Sequence, residues 1–425
     1  MHMNRRDFIG LCGSTLLSSS ALTGCRTSGG GTTPNHRPER LFFTSQGRTA
    51  LISADGSGLH YFDFDVPDQV TWQPGPFLSD GHRVIFLSME QRRDGPGKPF
   101  DRFYHQTPTH LWVYDLDRDT LQEICTKDRL AVFYTPALLV SDERILVQVV
   151  RDAGGQIYSM NLDGSDARKF TRLGEGLPYG LSLSPDGGRV AYHLASPQGY
   201  QIWTSNADGS DRVQVAAHPD HLYFGPSWSP DGSWLAFQSC HFRNDPGHDW
   251  SDVCLARPDG SDFRTLTEGQ SMWFGATYGN LTNHGGGSNL TAWTHDGQIL
   301  FPRRLPKSKV PWEYQHQRPD TDHFNRDFKP ELANGGTQIC RLNPSTGQVS
   351  PLTTATPPAW DFRASESASG NQLVYCRAET GAVPSIWVAS AQGNHPRLLT
   401  AGWNGQGADH PRWLPPQRPR TTVTY

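Results

Sequence analysis

Beyond position 40, short runs of alternating hydrophobic and polar residues are separated by Asp-Gly and related turn sequences. Ile202-Trp-Thr-Ser-Asn206, for example, is followed at once by Ala-Asp-Gly-Ser. Alternation with β-branched and aromatic residues is typical of half-buried strands. Asp-Gly favours tight hairpin turns, because glycine adopts positive φ without steric cost. The pattern therefore predicts an all-β chain made of many short antiparallel strands.

One strand–turn–strand unit recurs along the chain. Leu183-Ser-Pro-Asp-Gly-Gly-Arg-Val-Ala-Tyr192 returns as Trp228-Ser-Pro-Asp-Gly-Ser-Trp-Leu-Ala-Phe237, and weaker copies occupy 78–86, 140–147, 293–301 and 367–375. A second turn, Asp-Gly-Ser-Asp, follows three of the copies at 163–166, 208–211 and 259–262. Each unit is therefore expected to hold four strands, and a period of about 45 residues is typical of repeat architectures.

A single four-stranded unit cannot bury its own faces, but units arranged radially can, which makes a β-propeller. Six units begin near Val70, Val132, Leu177, Tyr223, Gly287 and Trp360. Residues 40–65 supply outer strands, and the segment Asp409-His-Pro-Arg-Trp-Leu414 supplies an inner one. We therefore expect a seven-bladed β-propeller whose N- and C-terminal strands share the closing blade, with six or eight blades as alternatives.

The first residues carry an export signal. Arg5-Arg-Asp-Phe-Ile9 resembles the twin-arginine motif, and Leu22-Thr-Gly-Cys25 resembles the bacterial lipobox, in which the cysteine is acylated. The alternative is an ordinary signal peptide with a chance Arg pair and Cys. We expect residues 1–24 to be the signal peptide, 25–39 a flexible tether anchored through lipid on Cys25, and 40–425 a single propeller domain. The protein would then face the periplasm or the cell exterior from a bacterial membrane.

Composition narrows the possible partners. The net charge of −4 gives no electrostatic reason to expect nucleic acid, and no long apolar run follows the signal. Five cysteines remain after the lipidated one: Cys125, Cys240, Cys254, Cys340 and Cys376. Cys240 with Cys254 is the nearest candidate for a disulfide, and buried thiols are the simpler expectation.

The Trp-Ser-Pro-Asp-Gly and Asp-Gly-Ser-Asp sequences together resemble the repeats of TolB-like propellers over most of residues 40–414. The single-domain members of this group include oligogalacturonate lyases, a more distant resemblance. Those lyases place metal-binding and catalytic histidines at inner-strand ends that face a central funnel. The resemblance implies such a role for His410, which precedes a proline, and more weakly for His284. The divalent metal would be manganese by this resemblance, and calcium is the alternative.

Insertions between the predicted strands hold the remaining candidate chemistry, because blades are scaffold and loops carry function. β-Elimination of a uronide needs a group that neutralises the carboxylate, a base and an acid. The residues predicted for these roles are His241, Tyr278, Arg303, Arg304 and His410. The alternative is that they only fix long loops to the surface through ion pairs.

These observations predict a lipid-anchored envelope propeller that binds or cleaves acidic polysaccharide at its central funnel, in the latter case as a β-eliminating lyase. The alternative is a non-catalytic scaffold for protein partners in the cell envelope. A deep funnel lined with Arg and His would favour the first, and a flat rim with exposed aromatic patches would favour the second.

Overall fold

The computed structural model describes residues 38–45, 48–90, 108–126, 130–131, 137–151, 154–172, 174–196, 199–241, 250–272, 278–279, 284–285, 290–314, 326–354, 356 and 359–418. All of them belong to one compact unit, residues 38–425. Their secondary structure is almost entirely β, with two short 3-10 helices at Pro330–Leu332 and Trp403–Gly405. Among these residues there is no helix of the length and apolar character that a membrane span requires.

The strands in chain order are β1 (Arg40–Ser45), β2 (Arg48–Ser53), β3 (His60–Tyr61), β4 (Gln69–Phe77), β5 (Arg83–Glu90), β6 (Pro108–Asp115), β7 (Thr120–Ile124), β8 (Leu130–Ala131), β9 (Ala137–Ser141), β10 (Arg144–Arg151), β11 (Gly154–Asn161), β12 (Arg168–Lys169), β13 (Leu177–Leu183), β14 (Arg189–Ser196), β15 (Gly199–Asn206), β16 (Val213–Ala216), β17 (His221–Trp228), β18 (Leu235–His241), β19 (Asp252–Ala256), β20 (Arg264–Thr265), β21 (Tyr278–Gly279), β22 (His284–Gly285), β23 (Ala292–Trp293), β24 (Ile299–Arg304), β25 (Trp312–Tyr314), β26 (Arg326–Phe328), β27 (Thr337–Leu342), β28 (Val349–Pro351), β29 (Ala359–Glu366), β30 (Gln372–Glu379), β31 (Ser385–Ser390), β32 (Arg397–Thr400) and β33 (Asp409–Trp413).

The described strands form five blade sheets of a β-propeller. The closing sheet has the order β3-β2-β1-β33, and a nine-stranded sheet contains β4 to β12. The third sheet runs β13-β14-β15-β16, the fourth β17-β18-β19-β20, and an eight-stranded sheet contains β23, β24 and β27 to β32. The strands β21 and β22, and likewise β25 and β26, form separate two-stranded ribbons.

The prediction of seven blades is wrong, because the structure has five. Two sheets each contain two of the sequence repeats. In the nine-stranded sheet, β8 pairs with both β6 and β10, so the two repeats share one hydrogen-bonded sheet. In the eight-stranded sheet, a parallel pairing of Thr337 with Trp360 joins β27 to β29. The first and last strands pair antiparallel in the closing sheet, β1 with β33.

The two ends of the sheets form two different rims. The hairpin turns between the first and second strands of neighbouring repeats contact one another: Ser79 N donates to Asp142 Oδ1 at 2.7 Å, and His295 N donates to Glu366 Oε2 at 2.7 Å. We call this side the turn rim. Because each second strand starts there, it ends at the opposite side, the loop rim, where the sequence insertions begin. The channel-lining first strands start at that same loop rim.

The Trp of the repeat motif joins neighbouring repeats through a recurring hydrogen bond. In each case the indole Nε1 donates to a backbone carbonyl on the first strand of the preceding repeat: Trp228 to Ser182 at 3.0 Å, Trp293 to Ser227 at 3.0 Å, and Trp413 to Ser365 at 3.2 Å. Apolar clusters fill the spaces between sheets, as where Ile202 of the third sheet packs with Phe237 of the fourth. The motif therefore specifies contact between repeats as well as the hairpin turn.

The five cysteines are buried thiols rather than disulfides. The expected candidate pair, Cys240 and Cys254, is not bonded, which agrees with the simpler expectation. Burial raises the pKa of Cys254 to about 12 and that of Cys340 to about 11, so both are protonated at neutral pH. These thiols contribute to packing and are poor nucleophiles in this state.

Candidate functional site

The first strands carry a β-bulge at equivalent places. The pairing register shifts between Tyr179 and Ser182 in β13, and corresponding shifts occur in β17, β29 and at the junction of β1 with β33. At each bulge one residue has left-handed backbone geometry, and these residues are Gly180 (φ 66°), Gly225 (φ 65°), Arg363 (φ 50°) and His410 (φ 54°). A bulge redirects the local side chain, so these positions face the channel differently from the rest of the strand.

The left-handed geometry is easy for two of these residues and unfavourable for the other two. Glycine adopts positive φ freely, whereas an L side chain there costs about 1 kcal/mol or more. Arg363 and His410 both keep this geometry on β29 and β33. Strain retained by chemically active side chains is a reason to look for function at that place.

Asp409 is the centre of a buried polar cluster beside His410. Its carboxylate forms an ion pair with Arg363, and both side chains are about one tenth exposed. The same carboxylate accepts a hydrogen bond from the backbone N–H of His410 at 2.7 Å and one from Cys376 Sγ at 3.4 Å. The pair thus joins β29 to β33 and fixes the bulge that presents His410.

His410 is held in its neutral form. Its side chain is half exposed, yet burial by the surrounding strands is the main factor that lowers the pKa of His410 to about 4. Arg363 and Arg412 lower this pKa further, whereas Asp409 raises it. Partial exposure together with strong desolvation fits a group that lines a narrow channel. His410 Nδ1 lies 3.5 Å from Thr44 Oγ1 on β1.

Arg412 completes the cluster. It follows His410 by two positions on β33, its side chain is exposed, and its Nη1 donates to the carbonyl of Pro74 at 3.3 Å. Desolvation, and then repulsion from Arg363, lower the pKa of Arg412. One carboxylate faces two guanidinium groups and a neutral imidazole, so these four side chains together carry net positive charge. Such a site favours an anion, and a carboxylate can bind Arg412 bidentately.

A divalent cation does not fit these residues. The Asp409 carboxylate is already paired with Arg363, and a metal ion at His410 would lie near two positive guanidinium groups. In the described part of the chain there is no group of three His, Cys, Asp or Glu side chains arranged to hold a metal. The manganese or calcium expected at His410 therefore gains no support from its surroundings.

The corresponding positions in the third and fourth sheets are uncharged. A Cβ on Gly180 would lie 2.4 Å from Nδ1 of His193, a buried residue of β14. A Cβ on Gly225 would lie 2.2 Å from Cδ2 of Leu290, which is 46% exposed. The left-handed position therefore carries Arg363 or His410 at β29 and β33, and only a glycine at β13 and β17.

Two of the predicted site residues, Arg303 and Arg304, lie on the second strand β24. Arg304 is exposed and its guanidinium lies 5.2 Å from the ring centroid of Trp250. Arg303 lies beside the Cys340 thiol and opposite Gln338 in the sheet. Among the described residues, neither arginine contacts His410, so the structure shows no joint site of these three side chains.

The other predicted residues are placed only by their backbones or not at all. His241 ends β18 at the loop rim, opposite His221. Tyr278 and His284 lie on the ribbon formed by β21 and β22. The side chains of these three residues lie outside the described part of the structure, as does Cys25.

Sequence analysis missed Arg363, Asp409 and Arg412 as site residues. A usable signal existed for Arg412 alone. Gly225-Pro-Ser-Trp228 aligns with His410-Pro-Arg-Trp413, so histidine and arginine replace Gly and Ser at the two variable positions. Arg363 lacked this signal, because neither Pro nor Trp follows it in the Phe-Arg-Ala-Ser-Glu sequence of β29.

Comparisons with solved structures agree with this fold. The chain resembles a puromycin-hydrolyzing peptidase of Mycobacterium tuberculosis at 13% identity and a TM-score of 0.53, over 85% of this chain and 51% of that one. It resembles an oligogalacturonate lyase in complex with manganese at 14% identity and a TM-score of 0.50, over 85% of both chains. TolB from Acinetobacter baumannii matches at 13% identity and a TM-score of 0.41, over 79% of this chain and 83% of that one. No protein-family model and no curated protein matches the sequence.

The likenesses with TM-scores of 0.50 and above show the class of fold alone: the chain is a β-propeller. At such identities they carry no information about activity. The function has to be argued from the residues at the channel.

Proposed function

We propose that the protein binds uronate-containing polysaccharide or oligosaccharide in its central channel, through the cluster of Arg363, Asp409, His410 and Arg412. The observation that supports this most is Arg412, an exposed guanidinium beside a neutral imidazole and a second arginine. A uronate carboxylate would relieve the repulsion between the two guanidinium groups. The hydroxyls of a sugar ring suit Thr44 and the neutral imidazole, which both donate and accept hydrogen bonds.

A bound carboxylate would also raise the pKa of His410, and β-elimination needs this stronger base. A pKa of about 4 makes the free imidazole a weak base. A carboxylate bound at Arg412 would raise that pKa, because negative charge stabilises the imidazolium. His410 would then take the proton from the carbon next to the carboxylate. A double bond would form between this carbon and the next ring carbon as the glycosidic C–O bond at that next carbon breaks, and the leaving oxygen would take a proton from solvent. The product would be an unsaturated uronide.

We also propose that the protein is exported and anchored to a bacterial membrane through lipid on Cys25, so that the channel meets polysaccharide outside the cytoplasm. Support comes from the Arg5-Arg6 pair and the Leu-Thr-Gly-Cys sequence. Metabolic labelling with palmitate tests this anchor. Label in the wild-type chain that is lost in Cys25→Ser supports it, and an unlabelled wild-type chain refutes it.

Calorimetric titration with digalacturonate tests the binding proposal. We expect binding by the wild-type protein, and a loss of about tenfold or more in affinity for Arg412→Ala, because a charge-assisted bidentate contact is removed. Arg257→Ala is the control, since this arginine lies at the turn rim, 3.7 Å over the Trp234 ring. Equal affinity in wild type and Arg412→Ala, or no binding by the folded wild type, would refute the proposal.

Ultraviolet absorbance with polygalacturonate separates a lyase from a binder. A rising absorbance from unsaturated product, absent in His410→Gln, would support elimination. Binding with no absorbance change would refute the catalytic step and leave the binding function. A protein that binds no uronide would favour the scaffold alternative.

A further inference from the structure

A second cluster lies on the loop rim of the closing sheet, outward from His410. The Arg48 guanidinium lies over the Trp403 indole, 4.5 Å from the ring centroid. The Tyr61 ring meets the same indole edge-on, with centroids 4.9 Å apart. All three side chains are partly exposed. Stacking on an aromatic ring fixes the guanidinium plane and leaves its N–H edge in position for a carboxylate.

The position of Trp403 is fixed by backbone contacts that admit little movement. Its backbone N–H donates to Ser45 Oγ at 2.8 Å, and the Ser45 hydroxyl donates to the carbonyl of Gly407 at 2.5 Å. Gly402 has a φ of 81°, and a Cβ there would lie 1.9 Å from the Gly407 oxygen. These contacts fix the backbone of the turn from 402 to 407 at the rim, and Arg48 and Tyr61 pack against the indole that it carries.

Two observations indicate that the cluster has unused binding capacity. Within the described ranges Arg48 has no acidic partner, whereas Arg212 and Arg377, which also stack on aromatic rings, pair with Glu175 and Asp361. The Tyr61 hydroxyl is buried and has no hydrogen-bond partner among the residues described. A buried hydroxyl in this state is unfavourable unless a ligand or water completes it.

The cluster is continuous with the channel site. Thr44, which contacts His410, precedes Ser45, and Ser45 lies directly opposite Arg48 in the pairing of β1 with β2. Neighbouring strands are about 4.8 Å apart, so Arg48 lies roughly 10 Å from β33 along the rim. An oligosaccharide that starts at Arg412 and runs outward over the closing sheet would reach it.

We propose that Arg48, Trp403 and Tyr61 form a second subsite that binds a further uronate unit of the same acidic oligosaccharide. The inference rests on the proposed function. The Arg48 guanidinium pairs with the second carboxylate, and the Tyr61 hydroxyl accepts or donates a hydrogen bond to a sugar hydroxyl. The natural ligand is then a chain of several uronate units that lies radially across the loop rim.

Titration with galacturonate and with hexagalacturonate tests this subsite. We expect Arg48→Ala to weaken hexamer binding about tenfold while monomer binding is unchanged, because only the hexamer reaches the rim. Arg48→Lys keeps the charge but not the planar fork, and should recover only part of the loss. Trp403→Phe should lose less than Trp403→Ala. The control is Arg257→Ala, which also removes an arginine stacked on a tryptophan but at the turn rim.

The outcomes separate the two proposals. Equal losses for monomer and hexamer in Arg48→Ala, or no loss for either, would overturn the second subsite while Arg412→Ala still weakens the binding of both ligands. Affinity that is unchanged in Arg412→Ala would overturn the proposed function itself, whatever Arg48→Ala does. Each variant is interpreted only if its thermal unfolding matches that of the wild type, and Arg48→Lys alone tests the subsite if the alanine variant does not fold.

Discussion

The third and fourth sheets and the closing sheet use the same bulge for different purposes. In the third and fourth sheets, Gly180 and Gly225 occupy the left-handed position, and the repeat motif is intact. In the closing sheet and the neighbouring β29, His410 and Arg363 occupy it despite their side chains. The regular repeats are therefore optimised for folding, and the irregular ones accept backbone strain. This contrast indicates that function in this propeller lies where the repeat departs from its own pattern.

The largest difference between the two regions should appear on removal of Arg363. Arg363→Ala leaves the buried Asp409 carboxylate without its guanidinium, and we expect a loss of about 3 kcal/mol in unfolding free energy. Urea unfolding measures this loss. The double variant Arg363→Ala with Asp409→Ala should be more stable than the single one. A single variant within about 0.5 kcal/mol of wild type would show that the ion pair does not hold the bulge.

On the regular side, the sensitive position is Gly225. Gly225→Ala places a side chain at a φ of 65° with its Cβ 2.2 Å from Leu290 Cδ2. We expect a loss of about 1–2 kcal/mol, measured by urea unfolding. Adding Leu290→Ala removes the clash and leaves only the backbone strain. Full recovery in the double variant would contradict the claim that the left-handed geometry itself requires glycine.

On the irregular side, a glycine at position 410 should preserve stability but weaken ligand binding. His410→Gly relieves the left-handed strain while it increases the entropy of the unfolded chain, so we expect a stability change within about 1 kcal/mol. Digalacturonate binding should weaken in the same variant. A large loss of stability would show that His410 is a structural residue rather than a ligand-binding one.

The irregular side should also show a pH dependence of stability caused by His410. Its pKa is lowered to about 4, against 6.5 for an ordinary histidine, so folding favours the neutral form. The stability contributed by this residue is complete above pH 6.5 and is lost progressively as the pH falls from 6.5 to about 4. Between these two pH values, the urea midpoint of unfolding should change less with pH in His410→Gln than in the wild type. An unchanged pH profile in this variant would contradict the neutral assignment.

The β-propeller can be predicted from the sequence because each repeat contains the turn residues of a hairpin and a tryptophan that contacts the preceding repeat. The number of blades could not be predicted in this way. The pairing of Leu130 with both Thr109 and Val149, and that of Thr337 with Trp360, involve residues outside the repeat motif. The site was found only in part. His410 stands in a recognisable motif, whereas the ion pair of Arg363 with Asp409 depends on the contact between β29 and β33, which no local pattern records.

A crystal structure of the protein with bound digalacturonate would show at once whether the irregular side of the channel is the binding site. We predict a carboxylate within hydrogen-bond distance of the Arg412 guanidinium, with the sugar ring beside His410 and Thr44. A ligand bound on the Gly180 and Gly225 side of the channel, or at a place without contact to Arg412, would contradict the proposed function.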